Sequence, residues 1–345
     1  MPEAAPVTTA TFPRNIASIS QKQAPWARTP GSLSRHGAQC ARFSEADGAF
    51  SFDVAHIQRR VRDGRFFLVP RAEILDLVTY AYGLAAEKFG LELHAVCVMS
   101  NHLHVVATDV EGRHPEFTAW AHRVMALALK AMHGIEGAVW QEGGASVQRL
   151  VGSVAVAEAL AYVRVNPVAA GCVRDERSYP GLFGADADAP LAEIVREVAR
   201  PAWFSEESTL PEVATFVCRP PSSLVDEFGE ERAVETIAEA VSRHRQEARD
   251  ERSAEGRGFL GMTRVLAADP WTRPAGPPPR AEFSPTFKGV IADAIAQARE
   301  ALVTFRRAYA EAMAAFRAGL REVAFPPGTY LMRRRLGCSC AVAAA

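Results

Sequence analysis

Two histidines separated by one apolar residue stand in the segment Met99-Ser100-Asn101-His102-Leu103-His104-Val105-Val106. The segment has the pattern of a β-strand, in which side chains alternate between faces. His102 and His104 therefore point one way, about 7 Å apart along the strand, and Leu103 points the other. Two imidazoles on one face can hold one divalent cation. About 60 residues on comes Ala161-Tyr162-Val163-Arg164-Val165-Asn166-Pro167. Tyr162 and Asn166 are spaced i, i+4 and share one face of a helix. Asn166 precedes a proline, which disfavours the helical region for it and predicts a helix end there. If that face packs beside the histidine strand, His102, His104 and Asn166 form an N,N,O donor set suited to Mg²⁺ or Mn²⁺. Tyr162 then lies beside the metal. A neutral phenol, with a pKa near 10, attacks poorly. A divalent cation on a scissile phosphate draws charge from phosphorus and stabilises the leaving oxygen. The product of such an attack is a covalent tyrosyl phosphate.

The elements that must position these residues follow from periodicity. Phe52-Asp53-Val54-Ala55-His56-Ile57 alternates like a strand. Arg59-Arg60-Val61-Arg62-Asp63-Gly64-Arg65 reads as a basic loop, followed by the apolar run Phe66–Val69 and Pro70. Ile74, Leu75, Val78, Tyr82 and Ala85 recur at helical spacing, so a helix runs from Ala72 to Phe89 with Gly90 past its C-terminus. Leu91 to Met99 is a strand, Ser100-Asn101 a tight connection, and His102 to Ala107 the histidine strand. A second helix spans Pro115 to His133, a short strand Val147 to Val151, and a third helix Ser153 to Pro167. The order β-α-β-β-α-β followed by a helix predicts an α+β fold: a ferredoxin-like antiparallel sheet with helices on one face.

Residues 1–50 are expected to be a mobile arm, residues 51–185 the catalytic domain, and residues 190–345 a mainly helical region with a Pro-rich break near 270–285. Within that frame, Met-Ser-Asn-His-Leu-His and the later Tyr-x-x-x-Asn-Pro-Val-x-Ala-Gly (Tyr162 through Gly171) resemble the single-tyrosine HUH transposases of insertion sequences. The likeness is strongest to the REP-associated tyrosine transposases and covers roughly residues 50–185. Trp140-Gln141 and Tyr179-Pro180 also sit where that family places similar residues. The resemblance implies a transposase that cleaves and rejoins single-stranded DNA and recognises DNA hairpins. Tyr162 would be the nucleophile, leaving a 5′-phosphotyrosine and a free 3′-OH. His102, His104 and Asn166 would be the metal ligands, with asparagine where many relatives have glutamine. Family members commonly work as dimers, so a homodimer is an expectation. A DNA-binding protein of the same fold without transposition activity is the alternative.

Composition sets outer bounds. The 345 residues are 48% hydrophobic and carry a net charge of −1, so the chain is no generic polycation. Lysine appears only at Lys22, Lys88, Lys130 and Lys288, and the other basic side chains are arginines. For the DNA backbone and bases the candidates are Arg59, Arg60, Arg62, Arg65, Trp120 and Arg123, set against the reading of a solvated loop and a packed helix. Six scattered cysteines make no disulfide framework. No apolar run reaches the ~18 residues of a membrane span, and no signal peptide opens the chain. These features predict a cytoplasmic protein without a membrane partner.

Overall fold

The computed structural model describes residues 54–341 apart from 110–111, 187, 206, 275–285, 327–328, 330–331 and 333–335. The N-terminal arm expected over 1–50, the residue Phe52 and most of the Pro-rich break lie outside these residues. Among the described residues, eight strands form one mixed sheet and seven α-helices pack around it.

The chain opens with β1 (Val54–Arg60) and α1 (Ala72–Phe89), then β2 (Leu91–Met99), β3 (His102–Asp109), α2 (His114–His133), β4 (Ser146–Val151) and α3 (Ser153–Ala169). β5 (Leu182–Phe183), β6 (Ile194–Ala199) and β7 (Val213–Cys218) follow. Then come α4 (Ser222–Phe228), α5 (Glu230–Ala254), α6 (Met262–Leu266), β8 (Phe287–Gly289) and α7 (Ala292–Arg317). The strand order is β6-β7-β2-β3-β1-β4-β8, with β5 also paired to β2. The central run β2-β3-β1-β4 is antiparallel at every pairing. Both flanks add a parallel contact, β2 with β7 and β4 with β8.

Alternation along β3 divides the core in two. Leu103, Val105 and Ala107 join Ala55 and Ile57 under α1 and α2. Val106 joins Val54, Ala95, Cys97 and Met99 under α3, α5 and α6. Helices thus cover both faces of the sheet, not one. The reason lies in α3, which is apolar on nearly every side and needs cover on two sides. The sheet gives one cover, and α5 gives the other through Ala233, Ile237, Ala240 and Val241. Polar clamps reinforce that packing: Arg245 Nε donates to Glu176 Oε2 at 2.9 Å, and His244 Nε2 pairs with Glu158 Oε2 at 2.8 Å. A register shift between Leu93 and Ala95 of β2 keeps the two-face division intact. Leu93 and Val96 are three residues apart and would otherwise point to opposite faces, yet both reach the α1/α2 side.

Three local expectations are revised, and the apolar run Phe66–Val69 gains a conformation. β1 runs on to Arg60, so Arg59 and Arg60 are strand residues. Phe66–Val69 forms turns beside Ser100, with Leu68 N–H donating to the Ser100 carbonyl at 2.9 Å. α3 continues through Pro167 to Ala169, because a proline in the last turn removes only one backbone donor while Val165 and Val168 remain buried. Residues 190–345, expected to be mainly helical, also supply β6, β7 and β8 to the sheet. Helix α1 ends as the sequence predicts: Gly90 takes φ 69°, a left-handed conformation that suits glycine.

Gly83 lies in the middle of α1, a poor place for glycine on propensity alone. A Cβ there would meet the Thr215 carbonyl oxygen of β7 at 2.7 Å, so the helix and strand backbones touch. Gly83→Ala is expected to destabilise the fold by about 1–3 kcal/mol through overpacking, despite alanine's better helix propensity. A lowered urea midpoint checks this, and an unchanged or raised midpoint would show that α1 and β7 are not in contact.

Candidate active site

The site forms where β1 and β3 present their second face to α3. In the antiparallel register Arg60 lies opposite His102, Gln58 opposite His104 and His56 opposite Val106. Cross-strand partners share a face, so His56, Arg60, His102 and His104 stand on one surface. α3 lays Tyr162 and Asn166 across it. The Tyr162 ring meets the rings of His104 and His56 edge-on, each with centroids 5.6 Å apart. His102 and His104 are 4.7 Å apart by the same measure, and His102 is hydrogen-bonded to Asn166. The four residues first singled out in the sequence therefore come together.

Protonation follows from burial. His56 is pushed down from 6.5 to about 3 by desolvation, helped by the positive charge of Lys288. His104 falls well below 6.5 for the same leading reason, with His102, His56 and Arg60 adding to it. Burial also lowers His102, with Arg60 second. The three rings are neutral near pH 7, the form that ligates a cation. Asn101 Oδ1 lies 2.7 Å from His102 Nδ1. An amide oxygen only accepts, so Nδ1 carries the proton and Nε2 keeps its lone pair. His104 Nδ1 is 2.9 Å from His56 Nε2, while His104 Nε2 is buried and makes no hydrogen bond within the protein. That orphaned nitrogen beside His102 and Asn166 fits a cation. Among the described residues no three His, Cys, Asp or Glu side chains are arranged to hold a metal.

Three residues of the site carried no sequence signal strong enough to find them. His56 stands on β1, and its position depends on knowing that β1 pairs with β3. Gln148 of β4 lies opposite His56 and is hydrogen-bonded to it. Lys288 arrives from β8, paired beside Leu150, and places its Nζ 5.5 Å from the centre of the Tyr162 ring.

The candidate DNA contacts separate. Arg60 borders the site, close enough for Tyr162 to act on its charge. Arg59 points to the other face, where its guanidinium lies over Trp140 at 5.9 Å. Trp120 packs against Phe89, and exposed Arg123 stands on α2, both on the α1/α2 side. Strand alternation and helix placement thus keep Arg59, Trp120 and Arg123 away from Tyr162. Arg62 is exposed beside Asp63 at 3.9 Å. Arg65 stacks on Trp271 at 5.2 Å and donates to its carbonyl at 2.8 Å. Both belong to the turn that Asn101 ties to the site through Gly64. His94 is buried between Thr108 Oγ1, at 2.7 Å, and the Arg219 carbonyl, at 2.8 Å, and is no part of the cluster.

A scan against protein-family models and a search of curated proteins each found no match. Among solved structures, the chain is similar to a REP-associated tyrosine transposase bound to a REP hairpin. The identity is 15%, the overlap covers 39% of this chain and 77% of that one, and the TM-score is 0.34. With so slight a likeness, what the site can do follows from its own residues.

The buried imidazoles set a pH dependence. Besides His56, burial holds His94 at about 4 and His122 at about 3. An unfolded imidazole takes up its proton near pH 6.5, whereas these native rings wait until about 4 or 3. The unfolded chain therefore binds more protons within that window, and stability falls as pH drops. The urea midpoint of the metal-free protein should be highest above pH 7 and decline steadily toward pH 4. Each ring kept neutral adds up to about 1.4 kcal/mol per pH unit to the slope. A midpoint flat from pH 7 to pH 5 would show that these rings are accessible to protons in the folded state.

Proposed function

We propose that this chain is a transposase of the single-tyrosine type, which cuts and rejoins single-stranded DNA at hairpin-bearing sites through Tyr162. One observation carries this reading: a strand bearing His102 and His104 and a helix bearing Tyr162 and Asn166, distant in sequence, converge on one cluster. The antiparallel run β2-β3-β1-β4, with two helical crossovers, is read as the ferredoxin-like core of residues 51–185. Residues 190–345 close over it and supply Lys288.

In this reading His102 Nε2, His104 Nε2 and the Asn166 amide oxygen would hold Mg²⁺ or Mn²⁺. When bound, the ion draws charge from the scissile phosphate and stabilises the departing oxygen. Tyr162, half-buried at the surface of α3, attacks phosphorus. The Oη–P bond forms, the P–O3′ bond breaks, the phenolic proton is lost, and the 3′ oxygen leaves as a hydroxyl on taking a proton. The 5′-phosphotyrosine keeps the phosphodiester energy for rejoining. Lys288 and Arg60 flank Tyr162 as cations, a setting that suits a phosphate near the ring. Arg62 and Arg65, on the adjoining turn, would contact the strand's backbone.

The test is a denaturing gel of the full chain with labelled hairpin-bearing single strands from the gene's flanks, with and without Mg²⁺ or Mn²⁺. The expected result is a metal-dependent protein–DNA adduct that survives denaturation and is lost in Tyr162→Phe, while hairpin binding persists. Hairpin binding with no cut or adduct across all flanking sequences would replace this reading with a non-catalytic DNA-binding role. Cutting that persists in Tyr162→Phe would point to water as the nucleophile.

A further inference from the structure

His104 can present Nε2 to a cation only if its proton sits on Nδ1, and nothing in His104 itself enforces that. The neighbouring strand does. His56 Nε2 lies 2.9 Å from His104 Nδ1, the two rings stack with centroids 5.1 Å apart, and both are buried. Of two nitrogens this close, one donates and the other accepts. If His56 donated, His104 would carry its proton on Nε2, and that buried N–H would have no acceptor. If His104 donates, Nε2 holds a lone pair instead, and an under-satisfied acceptor is the less costly state. The next link agrees. With Nε2 of His56 accepting, its proton lies on Nδ1, and the hydrogen-bonded Gln148 can take it on its amide oxygen.

We infer that His56, held by Gln148, is a positioning residue that fixes the tautomer and orientation of His104 so that Nε2 faces the cation. This rests on the metal reading above. The chain Gln148–His56–His104 spans the adjacent strands β4, β1 and β3, so the sheet's own pairing keeps it aligned. A ligating histidine held by an outer hydrogen bond is stiffer and more basic than a free one, and losing such a partner weakens metal binding by about 10–100-fold.

Two full-length variants and one spectrum test this. His56→Leu fills the space with no acceptor, whereas His56→Gln can set an amide oxygen near the place of Nε2. Titration with Mn²⁺ followed by calorimetry should show an affinity about 10–100-fold weaker for His56→Leu. His56→Gln should recover most of the loss, with both variants melting cooperatively. A folded His56→Leu that binds Mn²⁺ like the parent overturns the inference and leaves the metal site standing. The ¹⁵N–¹H spectrum of the metal-free parent gives a separate answer even if His56→Leu does not fold. His104 protonated at Nδ1 is expected, and His104 protonated at Nε2 overturns the inference. If the parent binds no Mn²⁺, the metal reading fails on its own account, and the tautomer spectrum still decides the role of His56.

Discussion

The whole site hangs on one register: β1 against β3, antiparallel, with Arg60 opposite His102 and Gln58 opposite His104. A strand has a period of two, so a slip of one residue would turn every side chain to the other face. The apolar residues forbid the slip. Leu103, Val105 and Ala107 are sealed under α1 and α2, where His102, His104 and Val106 would have to go instead. Those buried aliphatics have no part in the chemistry. Yet they decide that His102 and His104 point at α3.

The second constraint is the confinement of α3 between sheet and α5. A helix in the open could fray at Pro167 and let Asn166 swing away. Here Val163, Val165 and Val168 are buried with it, and α5 closes the far side. The proline's lost hydrogen bond is offset by packing, and the i, i+4 pair Tyr162 and Asn166 stays on one helical face up to the last turn. The Arg245–Glu176 ion pair and the His244–Glu158 hydrogen bond fix α5 against this part of the chain. The region downstream of residue 190 therefore takes part in holding the tyrosine.

Much of this was legible in the residues, and the reasons for the rest are specific. Period-two and period-3.6 patterns located β2, β3, α1, α2 and the start of α3, because each has one face that must be buried. Spacing alone linked Tyr162 to Asn166. Strand pairing was not legible. His56 looked like an ordinary strand residue because its partner, His104, is 48 positions away and nothing local records the contact. The second covered face was missed because helices were counted within the β-α-β-β-α-β unit, while α5 and α6 come from far downstream. Four arginines in one short stretch suggested one surface, but strand alternation sends Arg59 and Arg60 to opposite faces. Lys288 had no signature, being a lone lysine on a three-residue strand.

β8 joins the sheet at the edge of β4, held in place by Phe287 against Val151, Leu302 and Phe305. Its lysine enters the site late in the order of synthesis. At ~5–20 residues per second, about 7 to 28 seconds separate the emergence of β4 from that of β8. During that interval a nascent chain can pair β1 to β4, and α3 gains its second cover once α5 follows, but Tyr162 has no ammonium over its ring until β8 pairs. The site is then assembled in two stages set by chain order. The histidines and the tyrosine can meet without β8, and the cation beside them is added only when β8 pairs with β4.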